Sequence, residues 1–330
     1  MRMRWLAFAA CLGFIPAQAS AAESQMFDGK TITYIVATTP GGGYDTYGRL
    51  IARYLQRHLP GSRVLVKNVP GAGNIIGANE IYAARPDGLT MGMFNTGLIY
   101  DQLLGRDGVK FDLAKFSWIG KAASEGRGVL VSNASGIKTF DDMLKAKTPI
   151  KFAASGIGAA SYNDTRILAD ALHLNVQIIN GFTGNEGEMS MLRGEVAAQV
   201  GTVDSLEQFA KQGHAFWVLS LSGTELPPEV PRAAAYVKDD KGRKMLALLA
   251  ALSEMGRLTA GPPGIPANVL TTERDALTAV MKDPAFLADA KKLNLPITYL
   301  PGDVVEARIK AALNQPPETI ATLKHAAGGG

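Results

Sequence analysis

The chain has 330 residues, a formal net charge of +4 and one cysteine. This near-neutral balance argues against a nucleic-acid binder, because such domains carry a strongly basic patch or stripe. The length is sufficient for two domains of ordinary size.

The first 22 residues have the pattern of a secretory signal peptide. Arg2 and Arg4 precede an apolar run from Trp5 to Ile15, and small-x-small cleavage patterns follow it. A membrane anchor and a lipoprotein signal at Cys11 are the alternatives, but the run is shorter than the ~20 residues that a spanning helix needs. Without Cys11 the exported chain forms no disulfide and no thiolate metal site. Export without disulfides favours the bacterial periplasm.

The segment after this leader predicts alternating strands and helices. Thr31–Ala37, Val64–Val69 and Thr90–Phe94 are β-branched or apolar runs that predict strands, with helical patterns between them. This β-α-β-α-β order predicts a parallel, doubly wound sheet. In the first helix the apolar residues recur at helical spacing, while Arg49, Arg53 and Arg57 are typical of a solvated face.

A second unit of the same design follows. Strands are predicted at Val129–Ser132, Ile150–Ala154, Val176–Ile179 and Phe216–Leu221, again with helical patterns between them. The tail predicts further helices, at about 244–253, 267–281, 285–293 and 304–313. The fold class is therefore α/β, with two sheets flanked by helices.

Glycine-rich loops stand between a strand and a helix in both units. Pro40-Gly41-Gly42-Gly43-Tyr44-Asp45 is the first, and Gly156-Ile157-Gly158-Ala159-Ala160-Ser161 is the second. Unpaired N–H groups and the helix dipole make such a helix start a candidate anion site, and glycine allows close approach. Tight turns that serve geometry alone are the alternative. Neither the P-loop nor the dinucleotide fingerprint is present, because the Lys and the third Gly are missing.

Some residues beside these loops permit two interpretations. Asp45 either contacts a ligand or caps its own helix. Tyr44 and Tyr162 either line a pocket or fill a core. The four histidines have no metal-ligand spacing, so no metal site is predicted.

A binding protein is favoured over an enzyme. Cys11 falls in the leader, no G-x-S-x-G elbow is present, and no acid pair is marked by its spacing. The rival functions are an exported α/β hydrolase and a sensor receptor that docks on a signalling protein. No catalytic residue and no cofactor is predicted.

The motifs in their order resemble the periplasmic receptors of tripartite tricarboxylate transporters, the Bug-type solute-binding proteins. The resemblance rests on PGGGYDTYGRLIARYL, VLVKNVPGAGNIIGANEIYAARPDG, SGIGAASY and GFTGNEGEMSMLRGEV, and it extends over nearly the whole mature chain. Departures are Ala159 and Tyr162, where the family often has a hydroxyl residue and histidine, the altered loop at 181–184, and Ala197 in place of an aspartate.

The resemblance implies a Venus-flytrap fold that closes by a hinge motion on a small organic acid. It implies one domain of residues 23–122 with 222–330 and a second of residues 123–221, with crossings near 121–125 and 219–223. The expected partners are a dicarboxylate or aromatic carboxylate and a membrane permease of the tripartite tricarboxylate type. The expected state is a periplasmic monomer.

The loops and the resemblance together give the predicted ligand-binding set. Its members are Pro40, Gly41, Gly42, Gly43, Tyr44, Asp45, Asn95, Ser155, Gly156, Gly158, Ala159, Ala160, Ser161, Tyr162, Gly184, Asn185 and Asp204.

Overall fold

A computed structural model describes residues 26–183 and 185–326. The predicted signal peptide and Gly184 lie outside the described residues. The strands within them are β1 (Thr31–Val36), β2 (Arg63–Asn68), β3 (Thr90–Phe94), β4 (Ser117–Lys121), β5 (Arg127–Ser132), β6 (Ile150–Ala154), β7 (Val176–Asn180), β8 (Ala198–Thr202), β9 (Ala215–Ser220), β10 (Leu258–Gly261) and β11 (Leu300–Pro301).

The helices lie between and after these strands. They are α1 (Gly43–His58), α2 (Ile75–Tyr82), α3 (Gly97–Leu104), α4 (Phe140–Leu144), α5 (Ala160–Leu172), α6 (Glu186–Leu192), α7 (Val203–Lys211), α8 (Asp240–Ser253), α9 (Ala267–Lys282), α10 (Pro284–Lys292), α11 (Gly302–Leu313) and α12 (Pro317–Ala326). Within residues 26–183 and 185–326, no helix is both long and apolar enough to span a membrane.

The strands form two sheets, as the α/β prediction required. The first has the order β11-β4-β10-β3-β1-β2, and the second has the order β7-β6-β8-β5-β9. The predicted parallel arrangement holds for β2-β1-β3 and for β7-β6-β8. Both sheets are mixed, because β10 is antiparallel to β3 and β4, and β5 is antiparallel to β8 and β9. The antiparallel strands are those next to the connections between the sheets.

Helix α1 shows how the sequence pattern positions the first glycine loop. Its apolar stripe is buried against the first sheet and α9, as predicted from the helical spacing. The opposite face carries the arginines, and Arg53 pairs with Asp289 of α10 at 2.6 Å. Burial of the stripe fixes the start of the helix at Gly43, beside the end of β1.

Two neighbouring chain segments lie between the sheets. The first, residues 122–126, leads from β4 to β5, and the second begins after β9. They are adjacent, because a Cβ on Gly223 would lie 2.7 Å from the Cα of Gly126, and the Leu221 backbone N–H donates to the Arg127 carbonyl of β5. Lys241 of α8 pairs with Asp170 of α5 at 2.9 Å. The domain boundary at 222 remains a prediction, and these contacts favour a return to the first sheet later in the chain, near β10.

Candidate functional site

A cavity of about 250 Å³ lies between the two sheets. Residues directly after β1 and β3 line one side of it, and residues directly after β6 together with the last residues of β8 line the other. Ligands of open α/β sheets bind at the carboxyl ends of strands. The cavity is therefore the candidate binding site, and it is small compared with the ~300–1,000 Å³ of a drug-sized site.

Glycines allow the two sides of this cavity to touch. A Cβ on Gly73 would lie 2.7 Å from the backbone nitrogen of Ala159, and a Cβ on Gly97 would lie 2.7 Å from that of Ala160. No side chain fits at such distances, because a carbon–carbon or carbon–nitrogen contact is optimal near 3.5–4.0 Å. The segment 70–74, none of whose residues is in the predicted ligand-binding set, therefore belongs to the contact between the two sides.

Four helices begin at the cavity, and none of the residues directly before them caps its helix with a side chain. They are α1 after Gly42, α2 after Asn74, α5 after Ala159 and α7 after Thr202, and all four of these preceding residues line the cavity. The first N–H groups of a helix have no partner within it, and the dipole places about half a positive charge there. Both sides of the cavity thus present backbone donors.

Nine residues of the predicted set line the cavity. They are Gly42, Gly43, Tyr44, Asn95, Ser155, Gly156, Ala159, Ala160 and Ser161. Seven others lie outside its lining, namely Pro40, Gly41, Asp45, Gly158, Tyr162, Asn185 and Asp204. Gly184 falls outside the described residues. Contact of any of these residues with a ligand remains a prediction.

The two aspartates of the predicted set are held by other partners. Asp45 accepts hydrogen bonds from the Gly41 backbone at 3.0 Å, from Arg49 at 2.9 Å and from Asn68 at 2.9 Å. Burial acts to raise the pKa of Asp45, but the bonds from Arg49 and Asn68 outweigh it and the pKa is lowered. Asp45 therefore fixes the glycine loop, and it is not among the residues that line the cavity.

A buried ionic network lies behind the cavity, where the chain passes between the sheets. Arg257 precedes β10 and is fully buried, with Asp204 at 2.5 Å and Glu125 at 3.4 Å. Arg127 of β5 pairs with Glu125 at 2.5 Å and with Asp164 at 2.8 Å. Burial acts to raise the pKa of Asp204, yet the charge of Arg257 outweighs it and the pKa is lowered. The two arginines thus join helices and strands of both units.

Tyr44 connects this network to the cavity. Its hydroxyl donates to Glu125, and its ring lies 4.0 Å from the Arg257 guanidinium carbon. Burial, and then the nearby Glu125 charge, raise the pKa of Tyr44 well above its usual value. Of the two tyrosines predicted beside the glycine loops, Tyr44 lines the cavity and Tyr162 does not.

Several lining residues escaped the sequence analysis. They are Thr38, Thr39, Asn74, Arg127, Thr183, Glu188, Gln199, Thr202 and Ser205. Thr38 and Thr39 directly follow β1, and this position after a buried strand is a signal that points to them. Glu188 and Gln199 give no such signal, because they reach the cavity through the packing of α6 on β6 and β8. Within the described ranges, no group of His, Cys, Asp and Glu is arranged to hold a metal ion.

Comparison with known proteins defines the class. Residues 48–302 match the family model described as the tripartite tricarboxylate transporter family receptor. A UPF0065 protein of Agrobacterium vitis is 27% identical over 87% of this chain and 81% of its own length. The chain belongs to this receptor family of solute-binding proteins.

Solved structures share the fold. The periplasmic binding protein BugD superposes with a TM-score of 0.74 at 22% identity, covering 90% of this chain and 97% of its own. MatC of Rhodopseudomonas palustris, solved with bound malate, gives a TM-score of 0.70 at 18% identity, covering 88% and 98%. These likenesses confirm the two-domain binding-protein fold that the sequence predicted.

Replacing Arg257 with methionine tests the buried network. Arg257→Met leaves Glu125 and Asp204 buried beside a neutral side chain, so the free energy of unfolding in urea is expected to fall by about 3–5 kcal/mol. Arg243→Met removes an exposed ion pair with Asp240 and is the control. Its urea midpoint is expected to match that of the unmodified protein. Equal midpoints for both variants would contradict a stabilising role for Arg257.

Proposed function

We propose that the protein binds a small organic acid in the cavity between its sheets and delivers it, in the periplasm, to a permease of the tripartite tricarboxylate type. The observation that carries the proposal is the convergence of four helix starts, from both units, on one cavity, where no side chain of the preceding residue caps the helix. A carboxylate there accepts hydrogen bonds from backbone N–H groups and lies at the positive ends of the helix dipoles. The family and the malate bound by MatC support this ligand class.

Arg127 is the only arginine or lysine in the lining of this cavity among the described residues. Its guanidinium is already paired with Glu125 and Asp164. Burial acts to lower the pKa of Arg127, but these carboxylates outweigh it and raise the pKa, so the charge is permanent and internally balanced. Recognition of the acid by backbone and hydroxyl groups follows, with Thr38, Thr39 and Ser161 as the hydroxyl residues on either side.

Binding without chemistry is the simplest use of this site. A hydrolase needs a nucleophile held against a general base. Glu188 is the candidate base in the lining, but its buried Oε2 has no hydrogen-bond partner among the described residues, so it activates no neighbouring hydroxyl. We therefore assign capture and release of an unchanged ligand.

Capture is expected to proceed by closure of the two units. The contacts of Gly73 and Gly97 with the 156–160 loop describe a closed arrangement in which the ligand is enclosed. Separation of the units at the connecting segments opens the cavity, and the ligand favours the closed form because it contacts both sides.

Thermal denaturation and titration calorimetry test ligand binding. Small mono- and dicarboxylates are expected to raise the melting temperature, because a ligand that binds only the folded state stabilises it by RT ln(1 + [L]/Kd). The matching amides, which carry no anionic carboxylate, are the control ligands and are expected to bind far more weakly. Equal binding of an acid and its amide would contradict carboxylate recognition at the helix starts.

A methyl group at Gly97 tests closure. Gly97→Ala places a Cβ 2.7 Å from the backbone nitrogen of Ala160, so the closed arrangement is expected to be blocked and the affinity for the acid to fall at least about tenfold. Gly105→Ala, at the other end of α3, is the control, because its Cβ has nothing within 4 Å and Gly105 lies outside the cavity lining. Small-angle scattering at saturating acid should show a smaller radius of gyration for Gly105→Ala than for Gly97→Ala. Identical radii would contradict the closure mechanism.

Closure is also expected to take up a proton at Asp101. This side chain of α3 is fully buried, and a Cβ on Gly158 of the opposite loop would lie 2.7 Å from its Oδ1. Burial raises the pKa of Asp101 to about 8, against the charge of Arg106. When the two units separate, water reaches Asp101 and its pKa returns toward ~3.9. Between pH ~3.9 and about 8 the closed form therefore holds a proton on Asp101 that the open form loses.

The affinity for the acid should therefore fall as the pH rises from 6 to 8, by up to about tenfold per unit, and level off above that range. Calorimetry at pH 7 in buffers of different ionisation enthalpy should show proton uptake on binding. Asp101→Asn is expected to abolish both effects. Retention of the proton uptake in this variant would exclude Asp101 as its source.

A further inference from the structure

One acidic side chain in the cavity has no role in binding a carboxylate at the helix starts. Glu188 lies on α6, is only 6% exposed and lines the cavity. Its Oε2 is buried without a hydrogen-bond partner, and no cation lies within ion-pair distance of its carboxylate among residues 26–183 and 185–326. A buried, unpaired acceptor is costly, so a natural ligand is expected to supply the missing donor.

A second unpaired acceptor lies beside Gly187, the residue before Glu188. Gln199 of β8 also lines the cavity, and its buried Oε1 has no partner in the described part of the chain. A Cβ on Gly187 would collide with this oxygen, so the glycine before Glu188 leaves space for the Gln199 amide. The α6 side of the cavity thus presents two unpaired acceptors, and Asn74 Oδ1, at the start of α2, is a third in the lining.

The charged groups of the buried network behind the cavity also disfavour a second carboxylate on the ligand. Arg127 and Arg257 face three buried carboxylates, those of Glu125, Asp164 and Asp204. Burial raises the pKa of Asp164, against the charge of Arg127. Three carboxyl groups thus face two guanidinium groups even before Glu188 is counted. A ligand with two carboxylates adds charge of the same sign in a medium of low dielectric, whereas a zwitterion adds none in total.

We infer that the ligand is a zwitterionic acid, whose carboxylate lies at the helix starts and whose ammonium group donates to Glu188. This inference rests on the proposed function and names the ligand class for the same site. The ammonium supplies the donor that Oε2 lacks and compensates its charge, while Gln199 accepts from a second N–H. Glu188 is thus the residue that distinguishes an amino acid from a dicarboxylate of equal length.

Calorimetry with matched acids tests the inference. Butyrate, succinate and 4-aminobutyrate share four carbons and one carboxylate, and they differ at the far end by a methyl group, a carboxylate and an ammonium group. Series with two to six carbons extend the comparison to other lengths. The unmodified protein is expected to bind, at the preferred length, the amino acid at least about tenfold more tightly than the dicarboxylate.

Two variants separate a specific role from a general charge effect. Glu188→Gln keeps the size of the side chain and removes its charge, so binding of the amino acid should weaken at least about tenfold while that of the monocarboxylate stays within about twofold. Glu229→Gln makes the same charge change at an exposed position outside the cavity lining and should leave both affinities unchanged. Glu188→Gln removes an unpaired buried carboxylate, so its melting temperature should equal or exceed that of the unmodified protein.

The outcomes are distinguishable. Preference for the amino acid, lost only in Glu188→Gln, supports the inference. Binding of the dicarboxylate as tightly as the amino acid, or an unchanged preference in Glu188→Gln, overturns it and leaves the proposed function standing. Failure of all these acids to bind the unmodified protein overturns the proposed function itself.

Discussion

The buried pairing of Arg257 and Arg127 with Glu125 is the constraint on which the binding site depends. Glu125 lies in the segment that leaves the first sheet, and Arg257 lies directly before β10, with which the chain returns to that sheet. Charges buried this deeply are expensive to desolvate, and they are tolerated because each has a close partner of opposite sign. The partners come from α5, α7 and β5, so the network couples the second sheet to the connection itself.

The pairing of the buried arginines with these carboxylates limits how a ligand can be recognised. Arg127 reaches the cavity already paired with two carboxylates. The anionic end of a ligand is therefore expected to be met by backbone N–H groups, and small residues such as Gly43 and Ala160 leave those groups accessible. The glycines at 73 and 97 follow from the close approach of the two units.

The sequence predicted the parts of this arrangement that are local in the chain. The strand and helix order, the amphipathic stripe of α1 and the glycine loops at 40–45 and 156–161 all depend on residues near each other, and they lead to the correct fold and to about one third of the lining. Arg257 could not be found in this way, because it meets Glu125 and Asp204 across more than 50 residues. The short strands β10 and β11 escaped for a related reason, since their pairing with β4 is set by the tertiary fold.

Asp45 and Glu188 show why a residue type alone does not define a role. Both are acidic and both lie near a helix start, yet Asp45 is surrounded by donors from its own loop and from Arg49, whereas Glu188 has no partner for its buried oxygen. The satisfied carboxylate holds the scaffold in place, and the unsatisfied one is available for a ligand. In a receptor whose backbone recognises any carboxylate, discrimination between acids falls to the side chains that face the other end of the molecule. On α6 that side chain is Glu188.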